Sequence, residues 1–282
     1  MTENFERFTA AQIEDGLALC RKNHWNQVEN DWRLLLALSP DGCRFVKHDE
    51  MIVGSVSTIS YHHLFSWVGM LLVDPDFQRR GIGSKLLNAA MDVLRDEETV
   101  KLDATPAGRE LYLQMHFKDE YPLMRMQAVL TETPVVNNHF VEPMRDHDMT
   151  AVGEMDQVVF GADRQRLLHA FRNAAPEFAF VAKKQNRIVG FSLGRKGYSF
   201  DQVGPVIADN AEIAKSLAAD AFRQLNKKPF IIDVLQHNNE WIKWLKEAGF
   251  EEQRPFIRMY KGANRYPGAV TQQYAIAGPE FG

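Results

Sequence analysis

Apolar positions recur at helical spacing from Thr9 to Lys22, with Ile13, Leu17 and Leu19 to one side and Thr9 placed to cap the start. Glu29 to Leu38 predicts a second short helix. Arg44 to Lys47 and Ile52 to Tyr61 read as a hairpin turning at His48-Asp49-Glu50, and the apolar run Val68 to Val73 reads as a buried strand. An amphipathic helix follows from Ser84 to Arg95. Then come a strand around Val100 to Ala104, a helix from Pro106 to Met115 and a closing strand near Tyr121 to Val129. This alternation predicts an α/β fold built on a mixed sheet with helices on both faces.

The second half repeats the first. Phe45-Val46 and Ile52-Val53-Gly54-Ser55 are answered by Phe180-Val181 and Ile188-Val189-Gly190-Phe191-Ser192. Val68-Gly69-Met70-Leu71-Leu72-Val73-Asp74 is answered by Val203-Gly204-Pro205-Val206-Ile207-Ala208-Asp209, and the helix Ile82 to Leu94 by Ile213 to Leu225. Leu102-Asp103 matches Ile232-Asp233, and His116-Phe117 matches Gly249-Phe250. One fold in tandem is predicted, with domains over residues 1–133 and 139–282. The boundary falls near Thr131 to Asn138, a segment of turn residues with little apolar content.

Length and composition support this division. The 282 residues have room for two domains, and 45% hydrophobic with 11% aromatic residues suffices for packed cores. A net charge of −4 argues against nucleic acid as a partner, which a basic face would serve. No apolar stretch approaches bilayer length, and the polar start Met1 to Phe8 lacks a signal-peptide core, so no membrane partner and a cytoplasmic location are expected. Cys20 and Cys43 form no metal spacing; reduced thiols and no metal site are the simpler expectation.

The chemistry concentrates where the strand Val68 to Val73 meets the next helix. Asp74-Pro75-Asp76-Phe77-Gln78-Arg79-Arg80-Gly81-Ile82-Gly83-Ser84-Lys85 is a short basic loop opening directly into a helix. Helix-opening N–H groups lack intrahelical partners and carry the positive end of the dipole, so they face any anion placed there. Gly81 and Gly83 let the backbone approach a phosphate, and Arg79, Arg80 and Lys85 add charge. The G-x-x-x-x-G-K-[ST] pattern is absent, and Leu86 stands where a dinucleotide fingerprint needs its third glycine, so nucleotide-type cradles fit poorly.

Q-x-x-G-x-G after a strand ending Val-Asp-Pro resembles the pyrophosphate loop of the GNAT N-acetyltransferases. Tyr112 lies in Leu111-Tyr112-Leu113-Gln114-Met115-His116-Phe117, which resembles the L-Y-x-x-x-G-F segment of the same family. The resemblance spans nearly the whole chain, as two tandem GNAT acyl-CoA N-acyltransferase folds. It implies acetyl-CoA as co-substrate, held by Gln78, Arg79, Arg80, Gly81, Ile82, Gly83, Ser84 and Lys85. It also implies that the main chain of Leu71, Leu72 and Val73 pairs with the pantetheine like an added strand, with the N–H of Leu72 or Val73 meeting the acyl carbonyl. Tyr112 is then the proton donor to the leaving thiolate. The sequence departs from the family where Thr105 replaces a common Asn and His116 a common Gly. Thr105 is still assigned to the cofactor.

No general base stands out, because Gly69-Met70 occupies the strand where many relatives carry Glu. His62 or His63 on the preceding strand, Asp103, or a chain of waters are the alternatives. Trp25, Gln27, Glu29, Asp31 and Trp32, in and around the connection between the first two helices, either hold an acceptor ammonium by cation–π and charge contacts or form an ordinary helix cap with tryptophans anchoring the connection; His62 is a further acceptor-site candidate. The expected partner is a small-molecule amine, and the expected assembly a monomer or homodimer.

In the second copy the loop from Asp209 to Ile213 is four residues shorter than its counterpart, losing the Gln-Arg-Arg-Gly segment, and Leu245 stands where Tyr112 would be. The second copy is therefore expected to be degenerate, shaping structure or the acceptor site, with the aromatic tail Tyr274 to Gly282 either packed across the protein near the cleft or docked as a simple strand. The expected reaction is direct attack of a primary amine on the acyl thioester in a ternary complex. A non-catalytic acyl-CoA sensor and an acyltransferase using a different acyl-CoA are the alternatives.

Overall fold

The structure, a computed structural model, describes residues 5–136, 141–223 and 228–282. Met1 to Asn4 of the polar N-terminus, Asn137-Asn138 of the expected boundary and Leu225 of the repeated helix lie outside them. The first half runs β1 (Phe5–Arg7), α1 (Ile13–Lys22), α2 (Glu29–Leu38), β2 (Arg44–His48), β3 (Met51–Tyr61), β4 (Phe65–Val73), α3 (Ile82–Val93), β5 (Thr99–Ala104), α4 (Pro106–Gln114) and β6 (Lys118–Ala128). The second runs β7 (Val141–Pro143), α5 (Met149–Phe160), α6 (Gln165–Ala174), β8 (Phe180–Lys184), β9 (Arg187–Lys196), β10 (Asp201–Ala208), α7 (Ala211–Phe222), β11 (Phe230–Leu235), α8 (Asn239–Glu247), β12 (Glu251–Gly262) and β13 (Gln273–Ala275).

The helices and strands expected from the sequence form, with shifts of a few residues. Thr9 caps a 3-10 turn, Ala10–Gln12, ahead of α1, in a capping box with Gln12. α3 begins at Ile82 rather than Ser84, because Gly81 adopts the left-handed conformation (φ 81°) that lets the chain turn straight into the helix.

Among the described residues all thirteen strands join one sheet in the order β1-β2-β3-β4-β5-β12-β6-β11-β13-β10-β9-β8-β7. Only β4–β5 and β10–β11 pair in parallel. The strand expected to close the first half does not pair with β5. Instead β6 lies between β12 and β11, pairing Leu123–Ala128 with β11, while β12 pairs Ile257–Gly262 with β5. Each half thus lends its last long strand to the other, and both internal edges are paired by the exchange.

Side chains alternate across the sheet as the strand period requires. In the first half Phe45, Ile52, Trp67 and Leu72 face a core shared with α1, α2, α5 and α6, whereas Val46, Val53, Val68 and Leu102 face α3 and α4. α7 and α8 cover the second half over Phe222, Ile232, Trp241 and Phe250. Cys20 and Cys43 are buried free thiols.

Candidate active site

β4 and β5 touch only at their starts, through Ser66–Val100 and Trp67–Lys101, and then splay apart. The register between β3 and β4 shifts between Ser55/Leu72 and Ser57/Gly69, where Met70 takes φ 49° and its carbonyl accepts from the Ser55 hydroxyl at 3.0 Å. Asp74 N–H donates to Val53 O at 2.9 Å, so the alternating Val73 N–H points away from β3, toward the splay. A cleft of about 740 Å³ opens there, walled by Leu71, Leu72, Val73 and the start of α3 on one side and by Thr105, Leu111 and Tyr112 on the other.

The loop at its mouth is shaped by backbone conformation. Arg79 and Gly81 both have positive φ, 61° and 81°. Gln78 donates from Nε2 to Val73 O at 3.2 Å, which folds the loop back over the strand end. No side chain caps α3, and a Cβ built on Gly81 would meet nothing within 4 Å. The helix-opening amides therefore face open space at the positive end of a three-turn dipole. Gln78, Arg79, Gly81, Ile82, Gly83 and Ser84 line the cleft. Arg80 turns aside, donating to Asp76 O and lying 4.9 Å over the Phe77 ring. Arg80 and Lys85 are not among the lining residues.

Tyr112 is 8% exposed and packs edge-on against Phe117, 5.9 Å between ring centres. Burial raises its phenol pKa above the ordinary value of 10.0, so the group holds its proton across the physiological range. Thr105 caps α4: its hydroxyl oxygen accepts from Gly108 N–H at 3.2 Å, and Pro106 follows at the first helical position.

Several expected residues do not meet here. His62 and His63 sit not on a strand but in the exposed turn between β3 and β4, both with positive φ. They stand at the far end of β4 from Val73. His63 Nδ1 is 2.7 Å from Glu97, and His62 is 4.0 Å from Asp163. Neither can act as base or acceptor contact at the cleft. Asp103 lines the cleft, but both its oxygens accept from Arg258 at 2.9 Å.

Gln27 and Asp31 are turned into the join between the halves rather than toward the cleft. Asp31 Oδ2 accepts from Val28 N–H at 2.7 Å, capping α2, and Oδ1 accepts from Arg195 at 2.6 Å. Gln27 donates to Glu280 Oε1 at 2.8 Å, and Arg195 donates to the same oxygen. A buried Arg195 demanded carboxylate partners, and spacing along α1–α2 alone gave no sign of it. Trp25 does line the cleft.

The tail is the contributor that sequence reasoning left open. Trp67 Nε1 donates to Pro279 O at 2.9 Å and Tyr61 Oη to Phe281 O at 2.6 Å, which threads the last residues between the halves. Pro279 reaches the cleft wall.

In the second half the equivalent place is occupied. β13 pairs with both β10 and β11, filling the splay that β4 and β5 leave open. The start of α7 is capped by Asn210, whose Oδ1 accepts from Ile213 N–H at 3.1 Å. A helix N-terminus occupied by its own side chain has lost the donor that an anion would need.

A splayed strand pair, a bulge and an uncapped, glycine-led helix define an acyl-CoA transferase type of site. Comparison with known proteins gives the family. A family model described as "Acetyltransferase (GNAT) family" matches residues 10–117, and one described as "Acetyltransferase (GNAT) domain" matches residues 152–275. The chain belongs to the GNAT acyltransferases and carries their domain twice.

It is similar to holothin acyltransferase of Pseudoalteromonas sp. (strain SANK 73390), 25% identical over 274 residues, 96% of this chain and 91% of that protein. It is also similar to the uncharacterized N-acetyltransferase YitH of Bacillus subtilis (strain 168), 24% identical over 255 residues, 87% of each. A Pyrococcus horikoshii protein solved as a candidate acetyltransferase superposes with a TM-score of 0.84 at 25% identity, covering 99% of this chain and 96% of that one. A tandem GNAT protein from the clavulanic acid biosynthesis pathway shares the fold, with a TM-score of 0.66 at 14% identity over 92% of this chain and 98% of its own.

Proposed function

We propose that the first half, residues 1–133 with strand β12 and the tail lent by residues 139–282, transfers an acetyl group from acetyl-CoA to a primary amine. The observation that carries this reading is the uncapped start of α3, led by left-handed Gly81, at the mouth of a cleft that also contains a buried phenol. The group fits the residues present. Amides of Gly81, Ile82, Gly83 and Ser84 suit a diphosphate, and the open edge of β4 suits a strand-like chain with amides of its own. When bound, acetyl-CoA supplies an activated acyl thioester.

The chain's own residues then divide the work. Val73 N–H, aimed into the splay, is a donor for a developing oxyanion. Tyr112 keeps its phenolic proton because burial disfavours the phenolate, so it is present in the protonated form that a leaving thiolate needs and not in the form that could act as a base. Among the described residues lining the cleft, Asp103 is the single carboxylate, and it is tied to Arg258. The acceptor amine therefore enters already deprotonated or loses its proton to water.

The test is release of CoA from acetyl-, propionyl- and succinyl-CoA over a panel of primary amines. Preferred turnover of acetyl-CoA supports the reading. Preference for a larger acyl group replaces the donor, and binding with no release for any amine makes the protein an acyl-CoA sensor.

A further inference from the structure

A second cavity, about 450 Å³, lies beside the acyl cleft and shares Trp25 as a wall. Both halves build it. α1 contributes Arg21, the α1–α2 connection His24 and Asn26, β6 contributes Arg125, β12 contributes Arg254, and the turn between β9 and β10 contributes Tyr198 to Phe200.

The walls are held in place. Asn26 Oδ1 accepts from the N–H groups of Ser199 and Phe200 at 2.8 and 3.0 Å, and its Nδ2 donates to Phe200 O at 3.0 Å. Tyr198 N–H donates to Asn26 O at 2.8 Å. Arg21 lies 3.6 Å over the Tyr198 ring and donates to the carbonyls of Trp25 and Gln27.

The charge of this cavity is one-sided. No carboxylate is among its described lining residues. Arg125 is neutralised by Asp233, with bonds of 2.7 and 2.8 Å. Arg21 and Arg254 make no ion pair with any described residue. Arg254 is half-buried, and burial together with the like charge of Arg125 outweighs the attraction of Asp233 and holds its guanidinium below its ordinary value. A partly desolvated guanidinium beside another one, facing a cavity without acid groups, is an electrostatic deficit that a bound anion removes.

We propose that this cavity is a subsite for an oxyanion group, carboxylate or phosphate, borne by the acceptor amine, with Arg254 and Arg21 as its ligands. The inference rests on the acetyltransferase reading above. It replaces the ammonium-holding role expected of Gln27 and Asp31, whose side chains are committed to Arg195 and Glu280. It also gives the second half a function: a single GNAT domain would lack Arg254 and the Tyr198 to Phe200 wall.

The test follows the side-chain N–H resonances of Arg21 and Arg254 in the full chain during titration with inorganic phosphate, glutarate and the neutral glutaramide. The expected result is saturable shifts for phosphate or glutarate with a Kd of about 1–10 mM, and none for glutaramide. Stronger binding of phosphate assigns a phosphorylated acceptor, and stronger binding of glutarate a carboxylated one. Arg254→Gln is expected to weaken the binding about tenfold, the loss of one charge-assisted contact, and Arg21→Gln likewise. Unchanged acetyl-CoA binding in each variant shows that it is folded. The proposal is overturned if neither anion shifts these resonances, if glutaramide shifts them equally, or if folded variants bind as the parent does. Acetyl-CoA titration of the parent chain reports separately on the acetyltransferase reading.

Discussion

Arg258 on β12 holds Asp103 on β5 with two hydrogen bonds of 2.9 Å, one to each carboxylate oxygen. The guanidinium also donates to Tyr121 Oη at 2.7 Å and lies 4.7 Å over the Trp67 ring. The floor of the first half's cleft is thus clamped by a residue of the second half. Arg258→Met leaves Asp103 buried and unpaired, at a cost of about 3–5 kcal/mol. Urea unfolding of this variant is expected to show that loss. A midpoint within error of the parent would mean the halves do not depend on the exchanged strands.

Gly81→Glu places a carboxylate where the α3 amides open. The Cβ meets no atom, so the folded state bears only the left-handed strain of about 1 kcal/mol. Acetyl-CoA affinity, measured by calorimetry, is expected to fall at least about tenfold, since like charge then opposes the diphosphate. Retained affinity would remove the loop from the cofactor site.

Tyr112→Phe keeps the packing against Phe117 and deletes the proton. Acetyl-CoA binding is expected within about twofold of the parent and turnover at least about tenfold lower. His62→Ala and His63→Ala serve as controls, with turnover unchanged, because their turn lies at the other end of β4. An unchanged rate for Tyr112→Phe would take the phenol out of the reaction.

Asp74, at the entrance to the loop, pairs with Lys22 at 2.6 Å and accepts from Asp76 N–H at 3.1 Å. Burial alone would raise its pKa, but the hydrogen bond from Lys22, that from Asp76 and the Lys22 charge together bring it below the ordinary 3.8. A lowered carboxylate stabilises the folded state above its unfolded pKa, and that contribution disappears as the pH falls through the folded value. Asp74→Asn is expected to lower the thermal midpoint at pH 7, and the difference from the parent to close as the pH falls through the folded-state value, which lies under the ordinary 3.8. A difference that persists at low pH would assign the effect to packing rather than charge.

Much of the fold was legible because the signals were local. Gly81, Gly83 and Gln78 announce a strand–loop–helix turn, and the recurrence of Phe45-Val46 as Phe180-Val181 announces the tandem. The exchange of β6 and β12 was not legible, since both pairings satisfy the same period-2 pattern and only tertiary packing chooses between them. Leu245 and the shortened loop after Asp209 signalled degeneracy, but not that β13 itself fills the second splay. Asp31 and Gln27 looked like acceptor ligands because their true partners, Arg195 and Glu280, are far away in sequence. His62 was misplaced by one structural step, a turn taken for the end of a strand.

The most direct measurement is the stoichiometry of acetyl-CoA binding to the full chain by calorimetry. With an open splay and uncapped α3 in the first half, and β13 and Asn210 occupying the equivalent places in the second, the expected value is one site per chain, lost in Gly81→Glu. Two sites per chain, or one that survives Gly81→Glu, would contradict the division of labour between the halves.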